Sequence, residues 1–134
     1  MATTTRLPVV YIIGPFRGKT AWDVAQNVRR AEEVALSVAE MGAMPLCPHA
    51  NTAHFDGLLT AEFWLTGTAE LLRRCDAAIT VDGWERSSGS RGEIKLAGEL
   101  GIPVFYDEIS LANWISERIE QQSRALRDAA EGMR

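Results

Sequence analysis

Five apolar and mostly β-branched residues, Val9-Val10-Tyr11-Ile12-Ile13, stand enclosed between Pro8 and Gly14-Pro15. Such a run is too short for a stable helix, and without polar alternation it has no wet face. It therefore predicts a strand covered on both sides. A strand hidden on both faces needs helices above and below it, and the rest of the chain supplies them. Thr20 with Asp23 three residues on reads as a capping box. Val24, Val28, Ala31, Ala35 and Val38 then repeat at helical spacing until Gly42 stops the pattern. A second strand is expected at about residues 43–47, edge-like because of Pro45. A polar loop over 49–57 follows, then a helix over 58–74 with Phe63, Gly67 and Leu71 on one face. Residues 77–81 read as the third strand and 83–89 as a loop. The next helix, 90–100, turns Ile94, Ala97 and Gly98 inward and stops at Gly101. A fourth strand spans 102–106. From Ser110 a long amphipathic helix carries Leu111, Ile115, Ile119, Leu126 and Met133.

Strands and helices thus alternate with short connections, the pattern of a parallel sheet. The expected fold is α/β: a single doubly wound parallel sheet, Rossmann-like or flavodoxin-like, of strand order 2-1-3-4 with helices on both faces. One domain over residues 1–134 is expected, with 1–7 and about 127–134 as flexible ends. A chain of 134 residues that is 46% hydrophobic and 24% charged can build a core without staples. Its net charge of -4 lacks the basic excess of a protein that grips nucleic acid polymers, so none is expected as partner. Cys47 and Cys75 are too few for a disulfide framework and suit a reducing compartment. Residues 1–8 lack the apolar stretch of a signal peptide, and no run approaches the roughly 20 apolar residues of a membrane helix. A cytoplasmic protein without membrane partners is expected.

In such sheets ligands bind beyond the carboxyl ends of the strands, where strand order reverses. For order 2-1-3-4 that point lies between strands one and three. The loops meeting there are Gly14-Pro15-Phe16-Arg17-Gly18 and residues 83–93, the segments richest in glycine, arginine and hydroxyls. The second runs into a helix N-terminus, which favours an anion. Ser87, Ser88 and Gly89 allow close backbone approach, Ser90 is a further phosphate-binding candidate, and Arg17 could close on the same phosphate. Neither loop is a Walker A or GxGxxG element, so ATP and NAD chemistry lose support and no cofactor is expected. Glu93 has two readings: the reciprocal half of a capping box with Ser90, or a carboxylate at the crevice facing a sugar. Cys47, His49 and His54 fit no standard zinc spacing, and no metal is expected. His49 and Asn51 are expected to fix a loop by hydrogen bonds or to touch a base at the rim. Phe16, Trp22 and Trp64 could stack on a base or pack in the core, and Trp84 could be lid or packing.

Tyr11-Ile12-Ile13-Gly14-Pro15-Phe16-Arg17-Gly18, Cys75-Asp76-Ala77-Ala78, Ser87-Ser88-Gly89-Ser90-Arg91-Gly92-Glu93, Ala97 and Gly101-Ile102-Pro103-Val104 occur in this order. Together they resemble the nucleoside 2-deoxyribosyltransferase superfamily over about residues 9–107. Within it the chain is most similar to the small nucleoside 5'-monophosphate N-glycosidase branch and its uncharacterised phage and bacterial relatives. The resemblance implies cleavage of the N-glycosidic bond of a deoxynucleoside or nucleoside monophosphate, through a glycosyl-enzyme on Glu93. It further implies a 5'-phosphate held by Arg17 and Ser87, and Tyr11 near the sugar. A small-molecule nucleoside or nucleotide would be the partner, in a homo-oligomer. Thr68 stands where many members carry an assisting Asp; Glu62, Glu70 and Asp56 are the carboxylates nearby. That departure leaves open a second reading, a weakly catalytic or non-catalytic nucleotide sensor.

Overall fold

The computed structural model describes residues 6–52, 55 and 57–132; His54, Asp56 and Met133, named above, lie outside them. Parallel strands cannot be joined by a tight turn, so each step across the sheet needs a long crossover. The chain meets that need with a helix each time. The order is β1 (Val9–Ile13), α1 (Ala21–Glu40), β2 (Met44–Leu46), the single turn α2 (Pro48–Asn51) and α3 (Ala61–Arg73). Then come β3 (Ala77–Thr80), a 3-10 turn (Trp84–Arg86), α4 (Ser88–Leu100), β4 (Val104–Phe105) and α5 (Glu108–Gly132). The four strands form one sheet, ordered β2-β1-β3-β4 and parallel throughout, as the alternation of elements predicts.

Period-two alternation divides β1 between two cores. Val10 and Ile12, with Ala77, Ile79 and Val81, face Ala31, Ala35 and Val38 of α1 and Leu111 and Ile115 of α5. Tyr11, Ile13 and Ala78 face the opposite way, packing with Leu72 of α3, Cys75 and Ala97 of α4. Val10 through Ile13 are fully buried, which explains a run with no polar position. Burial of these apolar groups, at roughly 25 cal/mol per Å2 removed from water, is what holds the layers together.

The amino ends of the strands are fastened by one carboxylate. Asp76 accepts a hydrogen bond from the Val9 amide at 2.8 Å and pairs with Arg6 at 2.8 Å and Arg118 of α5 at 3.9 Å. Its side chain is only 8% exposed, so this contact ties β1, β3 and α5 in a sheltered place.

Boundaries differ from expectation where a side chain caps a helix earlier or later. Thr20 and Asp23 form the expected capping box of α1. Helix α4, however, starts at Ser88: Ser87 is extended and its hydroxyl accepts the Ser90 amide. The expected Ser90–Glu93 box is therefore not made, because the cap sits three residues upstream and the Glu93 carboxylate points elsewhere. Helix α5 starts at Glu108 rather than Ser110, since Asp107 accepts both the amide and the hydroxyl of Ser110. Helix α3 starts at Ala61, capped by Thr60, and leaves Leu58 and Leu59 exposed in the preceding turn. Pro48 opens the turn α2 inside the expected loop. In α4 Gly98 faces outward and Ala97 inward, and β2 and β4 are shorter than expected. No helix among the described residues is long and apolar enough to cross a membrane.

Candidate functional site

The loops after β1 and β3 meet at the carboxyl edge of the sheet because glycine lets them. A Cβ on Gly14 would stand 2.8 Å from the Cβ of Val81, and one on Gly18 would stand 2.4 Å from that of Asp23. Real side-chain carbons do not approach so closely, so the first loop can lie against the end of β3 and the first turn of α1 only without side chains there. Gly83, at φ +94, turns the second loop back to Pro15. The two glycine-rich segments are in contact at the strand-order reversal.

Beneath them lies a buried polar pair. The Tyr11 hydroxyl, from the middle of β1, donates a hydrogen bond to the carboxylate of Glu93, one turn inside α4. Tyr11 has no exposed surface. Burial, and then the charge of Glu93, raises its pKa, so the phenol keeps its proton. Thr68 of α3 faces the same hydroxyl and acts in the lowering direction. Burial pushes the Glu93 carboxyl up from the ordinary 4.5 to about 7, against the lowering effect of the Tyr11 hydrogen bond. The result is a carboxyl poised to change charge near neutral pH and oriented by a neutral donor. Such a group can act as nucleophile or as acid-base catalyst.

Above the pair, the start of α4 presents backbone amides. Ser88 and Gly89 are exposed in its first turn. The Ser87 hydroxyl is occupied by the Ser90 amide. Ser90 is only 1% exposed and its hydroxyl has no partner among the described residues. Arg17 is exposed on the first loop, and Arg91 is tied to the Glu85 carbonyl at 2.7 Å.

The expected rim residues separate. His49 does not stand at the rim with a free edge: it is buried, with Nε2 at 2.9 Å from the Gly14 carbonyl and 3.0 Å from that of Pro15. Of its two expected roles, it performs the fixing of a loop. Phe16 meets the His49 ring edge-on. Asn51 is exposed at the end of α2. Trp64 packs between Phe55 and Phe63, with its indole nitrogen unpartnered among the described residues. Trp22 is 72% exposed on the outer side of the first turn of α1. Trp84 packs on Tyr106. Glu70 is engaged with Arg73 and Arg74 on the outer face of α3, and Glu62 is exposed. No group of three or more metal-ligating side chains gathers among the described residues.

Sequence reading missed Asn27. Its Nδ2 donates to the carbonyls of Phe16 at 3.1 Å and Arg17 at 3.2 Å. A polar residue on a helix gives no sign of which loop it will meet, so only the fold exposes this role. An open groove of about 700 Å³, lined by Arg30, Glu33, Asp82 and Tyr106 among others, lies on the α1 and α5 side of the sheet, away from Glu93.

Fold and site together define a doubly wound α/β protein with a carboxylate–phenol pair below two converging glycine loops. The chain belongs to the family described as Domain of unknown function (DUF7768), which matches residues 8–107. Among solved structures it is similar to a 2-deoxyribosyltransferase from the psychrotolerant bacterium Bacillus psychrosaccharolyticus. The two are 20% identical over 72% of this chain and 69% of that one, with a TM-score of 0.53, a likeness of fold. No curated protein matches the chain.

Proposed function

We propose that this protein cleaves the N-glycosidic bond of a nucleoside or deoxynucleoside 5'-monophosphate and releases the free base. The observation that carries the reading is Glu93, a buried carboxyl that accepts a hydrogen bond from Tyr11 of the central strand β1. The likeness of fold to a 2-deoxyribosyltransferase supports glycosyl chemistry in that crevice.

In the proposed reaction the ionised Glu93 oxygen attacks the anomeric carbon. The carbon–nitrogen bond breaks as the carbon–oxygen bond forms, and its electron pair leaves on the base, which takes up a proton. Water then attacks the same carbon, returns the carboxylate and yields the sugar phosphate. Tyr11, kept neutral by its burial, donates to one Glu93 oxygen and aims the other. Arg17, the Gly14 to Gly18 backbone, Ser87, Gly89 and Ser90 form the phosphate side of the site. Asn51, Trp64 and Phe16 are the proposed contacts toward the base. The neighbouring enzyme is a transferase; hydrolysis is preferred here because the anion-suited loops point to a phosphorylated substrate.

The test is chromatography of liberated base across the common ribo- and deoxyribonucleoside monophosphates. Base release is expected from at least one of them, with loss of about a thousandfold or more in Glu93→Gln. A fully active Gln variant would exclude Glu93 as nucleophile. One observation favours a second reading: Thr68, rather than a carboxylate, faces the Tyr11 hydroxyl. Thermal stabilisation by a monophosphate without base release would support a nucleotide-binding sensor instead.

A further inference from the structure

Four consecutive carbonyls in the first loop are held by two side chains. His49 Nε2 takes those of Gly14 and Pro15; Asn27 Nδ2 takes those of Phe16 and Arg17. Chemistry fixes the direction of each contact. Both partners of His49 Nε2 are carbonyl oxygens, so that nitrogen carries the hydrogen and shares it between them. Nδ1 is then a bare acceptor, buried and without a partner among the described residues. Burial lowers the His49 pKa, in keeping with a neutral ring. For Asn27, Arg30 Nη1 approaches the side-chain oxygen at 3.1 Å. Arginine has only donors, so the oxygen must face it and the NH2 group must face the loop.

A trans peptide unit points its C=O and the following N–H in opposite directions. Holding the carbonyls of Pro15, Phe16 and Arg17 therefore fixes the directions of the amides of Phe16, Arg17 and Gly18. Backbone amides held in fixed directions beside an arginine are donors suited to an anion. We infer that Asn27 and His49 are the positioning residues of this protein's anion site: they clamp the loop carbonyls and so hold the backbone of Phe16, Arg17 and Gly18 in place for a phosphate. The inference rests on the phosphate-binding side of the reading above, but not on the glycosidic chemistry. Neither residue touches the ligand; each acts through the backbone. Helices α1 and α2 supply one each, so the clamp is rigid only while both are packed.

The experiment is a titration of the isotope-labelled full chain with inorganic phosphate, following the backbone amides of Phe16, Arg17 and Gly18 by NMR. Saturable shifts at these amides are expected in the wild type. Asn27→Leu and His49→Phe keep bulk and remove the donor without adding charge. Each should weaken phosphate about tenfold or more while the fold, checked by circular dichroism, persists. His49→Gln, whose amide nitrogen can reach the same carbonyls, should bind within about threefold of wild type, a rescue that loss of packing alone does not predict. Absence of shifts in the wild type, unchanged affinity in Asn27→Leu and His49→Phe, or His49→Gln as weak as His49→Phe would each overturn the clamp. Should phosphate bind as expected while no base is ever released, the glycosidic reading fails and the clamp stands.

Discussion

At the scale of the residue, Glu93 links stability to the proposed chemistry. Its folded pKa of about 7 lies above the ordinary 4.5, so the folded chain binds this proton more tightly than the unfolded chain. The resulting stabilisation is complete below pH 4.5 and is lost as pH rises through 7. His49 runs the other way, its lowered pKa giving stability that is present above its ordinary 6.5 and lost on acidification. Glu93→Gln removes the first effect alone. Its thermal melting should match wild type near pH 4.5 and exceed it at pH 8.5 by ~1–3 kcal/mol, a few degrees in Tm. A difference that does not change with pH would refute a buried, proton-linked carboxyl. The sequence allowed Glu93 two roles with equal grammar, because Ser-x-x-Glu is also how helices begin. The structure removes the capping role: Ser87, with its extended backbone, takes over the cap, and Glu93 meets Tyr11. Asn27 carried no signal at all, since a contact between a helix and a loop ten residues earlier depends on how both pack.

At the scale of the element, the glycines set how closely loops and strands approach. Gly14→Ala puts a methyl group against Val81, on a strand hydrogen-bonded to β1 and unable to retreat. A loss of ~1–3 kcal/mol in urea unfolding is expected, with part of it recovered in the double variant with Val81→Ala. Full additivity of the two substitutions would show that the methyl group finds other space. By contrast a Cβ on Gly98 meets nothing within 4 Å, so alanine there removes only the entropic cost of glycine in a helix. Elements of this kind were legible beforehand: the strand order, the parallel pairing, the stripe of α1 and its capping box all follow from periodicity and turn chemistry. Their ends were less so. Caps at Thr60, Ser87 and Asp107 compete with equally plausible neighbours one to three residues away, and only the packed structure selects among them.

At the scale of the whole molecule, the fastening and the candidate site occupy opposite ends of the same strands. Asp76 holds the amino ends of β1 and β3 to α5, whereas Tyr11, Glu93 and the glycine loops lie toward the carboxyl ends. Asp76→Ala leaves the Val9 amide without its acceptor and Arg118 without its partner, and should cost ~1–3 kcal/mol. The exposed Arg6 contributes little to that figure. Phosphate affinity measured well below the melting temperature should stay within about twofold of wild type; a tenfold loss would mean that the two ends communicate. This polarity was partly readable, since strand-order reversal fixes which end carries ligands. The pairing of Asp76 with the chain before β1 was not, because ion pairs leave no periodic trace.

The glycine-lined rim meets the second loop at Pro15 and Gly83, yet none of the contacts that secure the far end passes through it. Under the proposed function, inherited changes in those loops outside Gly14 and Gly18 can therefore retune which small molecule is recognised across a lineage, while the anchorage below keeps each descendant foldable.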